Sequence, residues 1–185
     1  MNKIFNKKDI LTIPNLLSLA RLLMIPVIVW LYIKERNYSA AAGMIILSGL
    51  TDVADGIIAR KFNMVSDFGK ILDPIADKVT QGTIIICLSF KYPAMIWLVA
   101  LFIVKEFIMA LLGYITIKSM DSVNSAKWYG KVSTLVLYAS MILMIFNPDL
   151  SIGYVKALNI ICAGILSLSL FMYIRFYVKI LSKRP

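Results

Sequence analysis

The stretch LTDVADGIIARKFNMVSDFGKILDPIADKV, residues 50–79, places Asp52, Asp55, Asp73 and Asp77 within 26 residues of an otherwise apolar chain. The first two aspartates are three apart and the last two four apart, so on helices each pair occupies one face. The break between the pairs is short, so the two helices are expected to be antiparallel neighbours. Both pairs then sit near the helix ends that meet this break, at similar depth, and converge on one cavity.

The rest of the chain says what kind of helices these are. Of 185 residues, 60% are hydrophobic, and the mean hydropathy is +0.82. Soluble domains of this length are far more polar, which makes this an integral membrane protein. Six apolar segments reach the roughly 20 residues needed to span a bilayer: 14–33, 38–60, 68–90, 93–117, 128–146 and 152–178. The breaks between them are short, and neither an inter-domain linker nor an internal repeat is visible. The expected fold is all-α: a single membrane domain over residues 1–185 with six transmembrane helices. Residues 1–12 are expected to form a short interfacial helix, with Ile4, Phe5, Ile10 and Leu11 toward lipid and Lys3, Lys7 and Lys8 toward headgroups. The N-terminus is basic, but no small-residue cleavage site ends its apolar stretch, so it reads as mature protein rather than a signal peptide.

The formal net charge is +10, from 20 Lys and Arg against 10 Asp and Glu. In a soluble protein this would suggest nucleic acid. With the aromatics inside apolar runs, anionic lipid or an anionic substrate is the expected partner, and nucleic acid is not. Twelve cations fall on the side holding both termini and the second and fourth breaks, against four on the other (Lys34, Arg36, Lys91 and Lys156). By the positive-inside rule, both termini and the Asp-bearing break are cytoplasmic. Cys87 and Cys162 stand alone in apolar segments and read as small core residues.

Arg21, Lys78, Lys105, Arg175, Asp52, Asp55, Asp73, Asp77 and Glu106 remain inside the expected spans. Ionisable groups at membrane depth face a bundle interior or watery cavity and take partners. Four clustered carboxylates repel and take up protons unless cations join them. Two divalent ions would balance them. The chain contains no His, so an all-oxygen donor set points to Mg²⁺, with Mn²⁺ or Ca²⁺ possible. A carboxylate cage for Mg²⁺ commonly takes a phosphate substrate to complete its shell, and a metal pair suits phosphoryl chemistry. Gly56 and Gly69 allow close approach of a ligand, although tight helix packing also uses such residues. Arg60, one turn past Gly56, suits a diphosphate oxygen or a positive-inside anchor. For the quartet itself, the competing reading is a structural ion network.

Written out, the stretch is Asp52-x2-Asp55-Gly56-x2-Ala59-Arg60-x8-Gly69-x3-Asp73-x3-Asp77. It resembles the signature of the CDP-alcohol phosphotransferases at all eight fixed positions, and that family's six-helix fold agrees with the spans. The resemblance implies that Asp52, Asp55, Asp73 and Asp77 hold two Mg²⁺ ions, with Mn²⁺ as an alternative, and that Asp77 is also the general base. It implies that Gly56, Arg60 and Ser66 contact the CDP moiety of a CDP-lipid. The segment IPNLLSLARLLMIP is similar to a second, shorter family pattern, which adds Asn15, Ser18 and Arg21 beside the nucleotide. The implied reaction is attack of an acceptor hydroxyl on the β-phosphorus of CDP-diacylglycerol, with release of CMP.

The acceptor is read from weaker signals. Lys105-Glu106 and YGKVST, with Gly130, Lys131 and Thr134, resemble features of the family's phosphatidylglycerophosphate-forming subgroup, although Gly113 stands where that subgroup carries an Arg. Lys105, Lys118, Lys127 and Lys131 are the candidate acceptor-phosphate residues, while Lys118 and Lys127 also suit interface anchors. Glycerol 3-phosphate is the expected acceptor, with phosphatidylglycerol, which gives cardiolipin, as the alternative. The family often forms homodimers, and the expected setting is a bacterial plasma membrane. Outside the class, a divalent-cation carrier would use intramembrane carboxylates without Arg60 or a nucleotide pocket, and a prenyl-diphosphate enzyme would lack the Asp-Gly-x2-Ala-Arg context.

Overall fold

The computed structural model describes residues 12–62, 64, 66–120 and 127–182. Those residues hold six α-helices and no strand: α1 (Ile13–Val29), α2 (Tyr38–Lys61), α3 (Asp67–Lys91), α4 (Ile96–Met120), α5 (Trp128–Phe146) and α6 (Ile152–Leu181). Each expected span coincides with a helix to within four residues. Five segments are long and apolar enough to cross a membrane: Ile13–Lys34, Tyr38–Ala59, Pro93–Thr116, Trp128–Phe146 and Ile152–Leu181. The sixth expected span is the helix α3, which does not count among them by composition. Its first half carries Asp67, Lys70, Asp73, Asp77 and Lys78, and charge at that density outweighs its apolar second half. Apart from Thr12, the expected interfacial helix over 1–12 lies outside the described residues.

The chain divides into two compact units, Met1–Cys87 and Leu88–Pro185, with the boundary inside α3. In the first, α1 packs along α2. Pro14 opens α1, where its missing N–H is not needed, while Pro26 lies inside it. One turn after Pro26 the helix widens into a π turn, Trp30–Lys34. Arg36, at φ 51°, then reverses the chain. The Asn37 side chain caps α2 by accepting the Ala40 N–H at 3.0 Å. Fully buried Ala41 and Ala42 give α2 a smooth face, which in a membrane lets two backbones approach closely.

In the second unit, α6 packs against both α4 and α5. Its 30 residues make it the longest of the described helices. Leu98, Leu137, Met141, Met144, Ile145 and Leu166 form its core. Tyr92 Oη donates to the Pro148 carbonyl at 3.0 Å, and Asn159 Nδ2 to the Ala94 carbonyl at 2.9 Å. The 3₁₀ turn Pro93–Met95 is tied down by these bonds.

The burial pattern inverts that of a soluble protein. Leu23, Phe90 and Trp97 are more than 70% exposed, while Arg21, Asp55 and Lys105 are 1%, 2% and 5% exposed. Apolar side chains outward and charges inward suit a lipid solvent. Together with the five spans, this makes the chain an integral membrane protein.

Candidate active site

The four aspartates occupy the last turns of α2 and the first turns of α3, as the break between them predicts. What organises Asp52, Asp55 and Asp73 comes from α1. Arg21 is buried, with Nη1 2.7 Å from Asp52 Oδ1 and Nη2 2.7 Å from Asp55 Oδ2. One guanidinium thus spans two carboxylates a helical turn apart, a geometry suited to its planar fork. The Nη2 contact is a formed hydrogen bond, whereas Nη1 faces its oxygen off the N–H axis and Nε has no hydrogen-bond partner among the described residues. Asp55 is deeply buried, while the Asp52 side chain is 47% exposed.

One turn earlier on α1, the Ser18 hydroxyl meets Asp73 Oδ1 in a short contact and lies 3.5 Å from Asp55 Oδ2. It also lies 3.1 Å from the Pro14 carbonyl. Ser18 therefore links both Asp-bearing helices to α1. A turn further, Asn15 Nδ2 donates to Ser66 Oγ at 3.0 Å, and that oxygen accepts the Gly69 N–H at 2.9 Å. Ser66 thus caps α3 and is clasped by Asn15. Gly69 is required for this fit: a Cβ there would lie 2.5 Å from Asn15 Oδ1 and 3.0 Å from Ser66 Oγ.

Asp77 faces a different set of partners. Gln81 Nε2 donates to both of its oxygens at 2.9 Å, and Lys78 Nζ lies 3.5 Å from Oδ2. The charges of Asp73 and Asp77 are both felt at Asp52, and that of Asp73 at Asp55. The quartet is one electrostatic cluster.

An all-oxygen set of four carboxylates at membrane depth, reached from outside at half-exposed Asp52, fits hard divalent cations. As the side chains stand, no three acidic groups among the described residues close on a single point. Arg21 bridges two of the four, Asp52 and Asp55.

The expected acceptor residues belong to the second unit. Lys105 is buried and bonded to its neighbour Glu106, with Nζ 2.6 Å from Oε1. Lys127 stands at the start of α5, where its backbone N–H donates to Tyr173 Oη at 3.2 Å and its Nζ lies 4.3 Å from the Phe176 ring centre. Lys131 is exposed on the first turn of α5. The side chains of Arg60 and Lys118 lie outside the described residues. Gly56 directly follows Asp55 on α2.

Two contributors were not singled out from the sequence. Gln81 was legible in principle, since an amide four residues after Asp77 shares its helix face. Tyr173 was not: it lies 46 residues from Lys127 in an aromatic run that reads as core. Its hydroxyl fills the space that a side chain on Gly130 would need.

A polytopic helical membrane domain with clustered carboxylates at one helix junction defines the class. The family profile described as CDP-alcohol phosphatidyltransferase matches residues 11–176. A CDP-diacylglycerol–glycerol-3-phosphate 3-phosphatidyltransferase of Shigella flexneri is 31% identical over 163 residues, covering 84% of this chain and 88% of that protein. The Rickettsia typhi protein of the same name is 43% identical over 81 residues, 43% of this chain and 46% of the relative. A Schizosaccharomyces pombe fusion of cardiolipin synthase (CMP-forming) with a mitochondrial hydrolase is 38% identical over 117 residues. The chain spans about a fifth of that fusion and less than half of the Rickettsia protein. The chain belongs to the CDP-alcohol phosphatidyltransferase family.

Proposed function

We propose that the protein transfers a phosphatidyl group from CDP-diacylglycerol to the hydroxyl of glycerol 3-phosphate, giving phosphatidylglycerophosphate and CMP. The observation that carries this reading is the quartet: four aspartates at the family spacing, three of them held by Arg21 and Ser18 of α1. In the reaction, the acceptor oxygen bonds to the β-phosphorus, and the bond from that phosphorus to the oxygen of CMP breaks. The acceptor proton goes to Asp77. Gln81, donating to both carboxylate oxygens, holds the Asp77 side chain in one orientation for that transfer. Asp52, Asp55, Asp73 and Asp77 would hold two Mg²⁺ or Mn²⁺ ions, which when bound neutralise phosphoryl oxygens and the charge developing on CMP. Gly56, Arg60, Asn15, Ser18 and Ser66 make the nucleotide side of the site. Lys105, Lys118, Lys127 and Lys131 bind the acceptor phosphate.

In this reading α3 is the sixth span. Its 25 residues extend about 37 Å at 1.5 Å per residue, enough for a hydrocarbon layer of about 30 Å. Both termini and the α2–α3 junction face the cytoplasm of a bacterial cell, and the chain works as a homodimer among membrane lipids.

A second acceptor, phosphatidylglycerol, is favoured by one observation, the cardiolipin synthase likeness over 117 residues. The two separate in one experiment. Detergent-purified protein receives labelled CDP-diacylglycerol and Mg²⁺ with either acceptor, and the product is read by mass, with Asp77→Asn as control. Phosphatidylglycerophosphate supports the main reading and cardiolipin the second. No CMP release with either sinks the transferase reading and leaves a cation carrier.

A further inference from the structure

The reading above gives Arg21 only a neighbouring place in the nucleotide site, but its contacts point elsewhere. It is 1% exposed and engages one oxygen of Asp52 and one of Asp55. A divalent ion that binds this pair therefore shares its carboxylates with the guanidinium or displaces it. Burial strengthens this competition, because a charge beside a cation site away from water is poorly screened. Arg21 is also fixed in place: it enters from α1, and Ser18, one turn away on the same helix, grips Asp73 and reaches Asp55. A lysine would offer the charge on one nitrogen rather than spread over a planar group that reaches both carboxylates.

We propose that Arg21 is a tethered counter-cation that competes with divalent metal for Asp52 and Asp55. It tunes metal affinity downward and keeps the two carboxylates paired and in register as ions exchange. It is a positioning residue, acting on the reaction through the metal ligands. This inference rests on the metal-dependent reading of the quartet.

Its sign separates it from a merely structural role. If Arg21 only braced α1 against α2, its loss would loosen the carboxylates and weaken metal binding. If it competes, its loss strengthens binding. The experiment is an Mn²⁺ titration of detergent-purified protein without substrate, with free ion read by electron paramagnetic resonance. Wild type, Arg21→Gln and Arg21→Lys are compared, and monodispersity is checked by size exclusion. Arg21→Gln is expected to bind Mn²⁺ at least tenfold more tightly than wild type while its melting temperature without metal falls. Arg21→Lys, keeping charge but not the fork, is expected to tighten binding two- to fivefold, and it decides the matter if Arg21→Gln does not fold. Equal or weaker Mn²⁺ affinity in the folded variants overturns the proposal. Wild-type Mn²⁺ binding and CMP release are measured in the same preparation. If both are present, such a result removes only the counter-cation role; if wild type shows neither, the metal-dependent reading falls with it.

Discussion

Two buried cations, Arg21 and Lys105, are each neutralised by carboxylate, but by different routes. Arg21 pairs with Asp52 and Asp55, 31 and 34 residues away on another helix. Lys105 pairs with Glu106, its immediate neighbour. The first arrangement exists only when α1 and α2 are packed, so it is part of what holds the first unit together. The second forms along one helix. The Glu106 side chain is 21% exposed, whereas Asp55 is only 2% exposed. One pair joins two helices; the other joins neighbours in the chain.

The largest expected effect tests the chemistry that the first pair supports. Asp77→Asn should lower the rate of CMP release by about 10²–10⁴-fold, as expected for loss of a general base, with the protein still eluting as wild type. Next comes the contrast itself. Arg21→Met should destabilise the protein by about 3–5 kcal/mol in reversible denaturation, because it strands a buried carboxylate. Lys105→Met should cost only about 1 kcal/mol in the same experiment, since the partner it leaves can reach water. In kinetics it should raise KM for glycerol 3-phosphate about tenfold with kcat little changed, the pattern of lost ground-state binding. Equal stability losses in the two variants would erase the distinction drawn here.

The smallest effect compares close approaches to glycine. Gly69→Ala would press on Asn15 and Ser66, so it should raise KM for CDP-diacylglycerol severalfold. Gly130→Ala would press on Tyr173, with the hydroxyl as the nearest atom. Overpacking of this kind costs about 1–3 kcal/mol. Adding Tyr173→Phe should recover part of that loss, a coupling visible in a double-mutant cycle of thermal stability.

How much of this was written in the sequence differs between the two pairs. The helices were legible because the breaks are marked by charge, Pro and Gly, and lipid tolerates little else between spans. The carboxylate signature was legible because its spacings are local to two helices. Lys105-Glu106 could be read from adjacency alone. The partners of Arg21 could not. A cation in α1 announces that it needs an acid, but hydropathy does not say which helix α1 meets or at what register. Asn15 and Ser18 share that fate: their residue types were informative, whereas their bonds to Ser66, Asp55 and Asp73 depend on how α1 docks. The π turn after Pro26 left no sequence signal beyond the proline itself.

The length of α6 has a consequence for its far end. Lys156 and Arg175 both point outward and lie 19 residues apart, about 29 Å along a helix rising 1.5 Å per residue. That is the thickness of a bilayer's hydrocarbon, and basic side chains favour its two edges. A membrane ruled off between these two residues leaves Phe176 to Leu181, more than a turn of helix, standing clear of the oil. Phe176, with the Lys127 ammonium over its ring, then lies just past the basic edge that Arg175 marks.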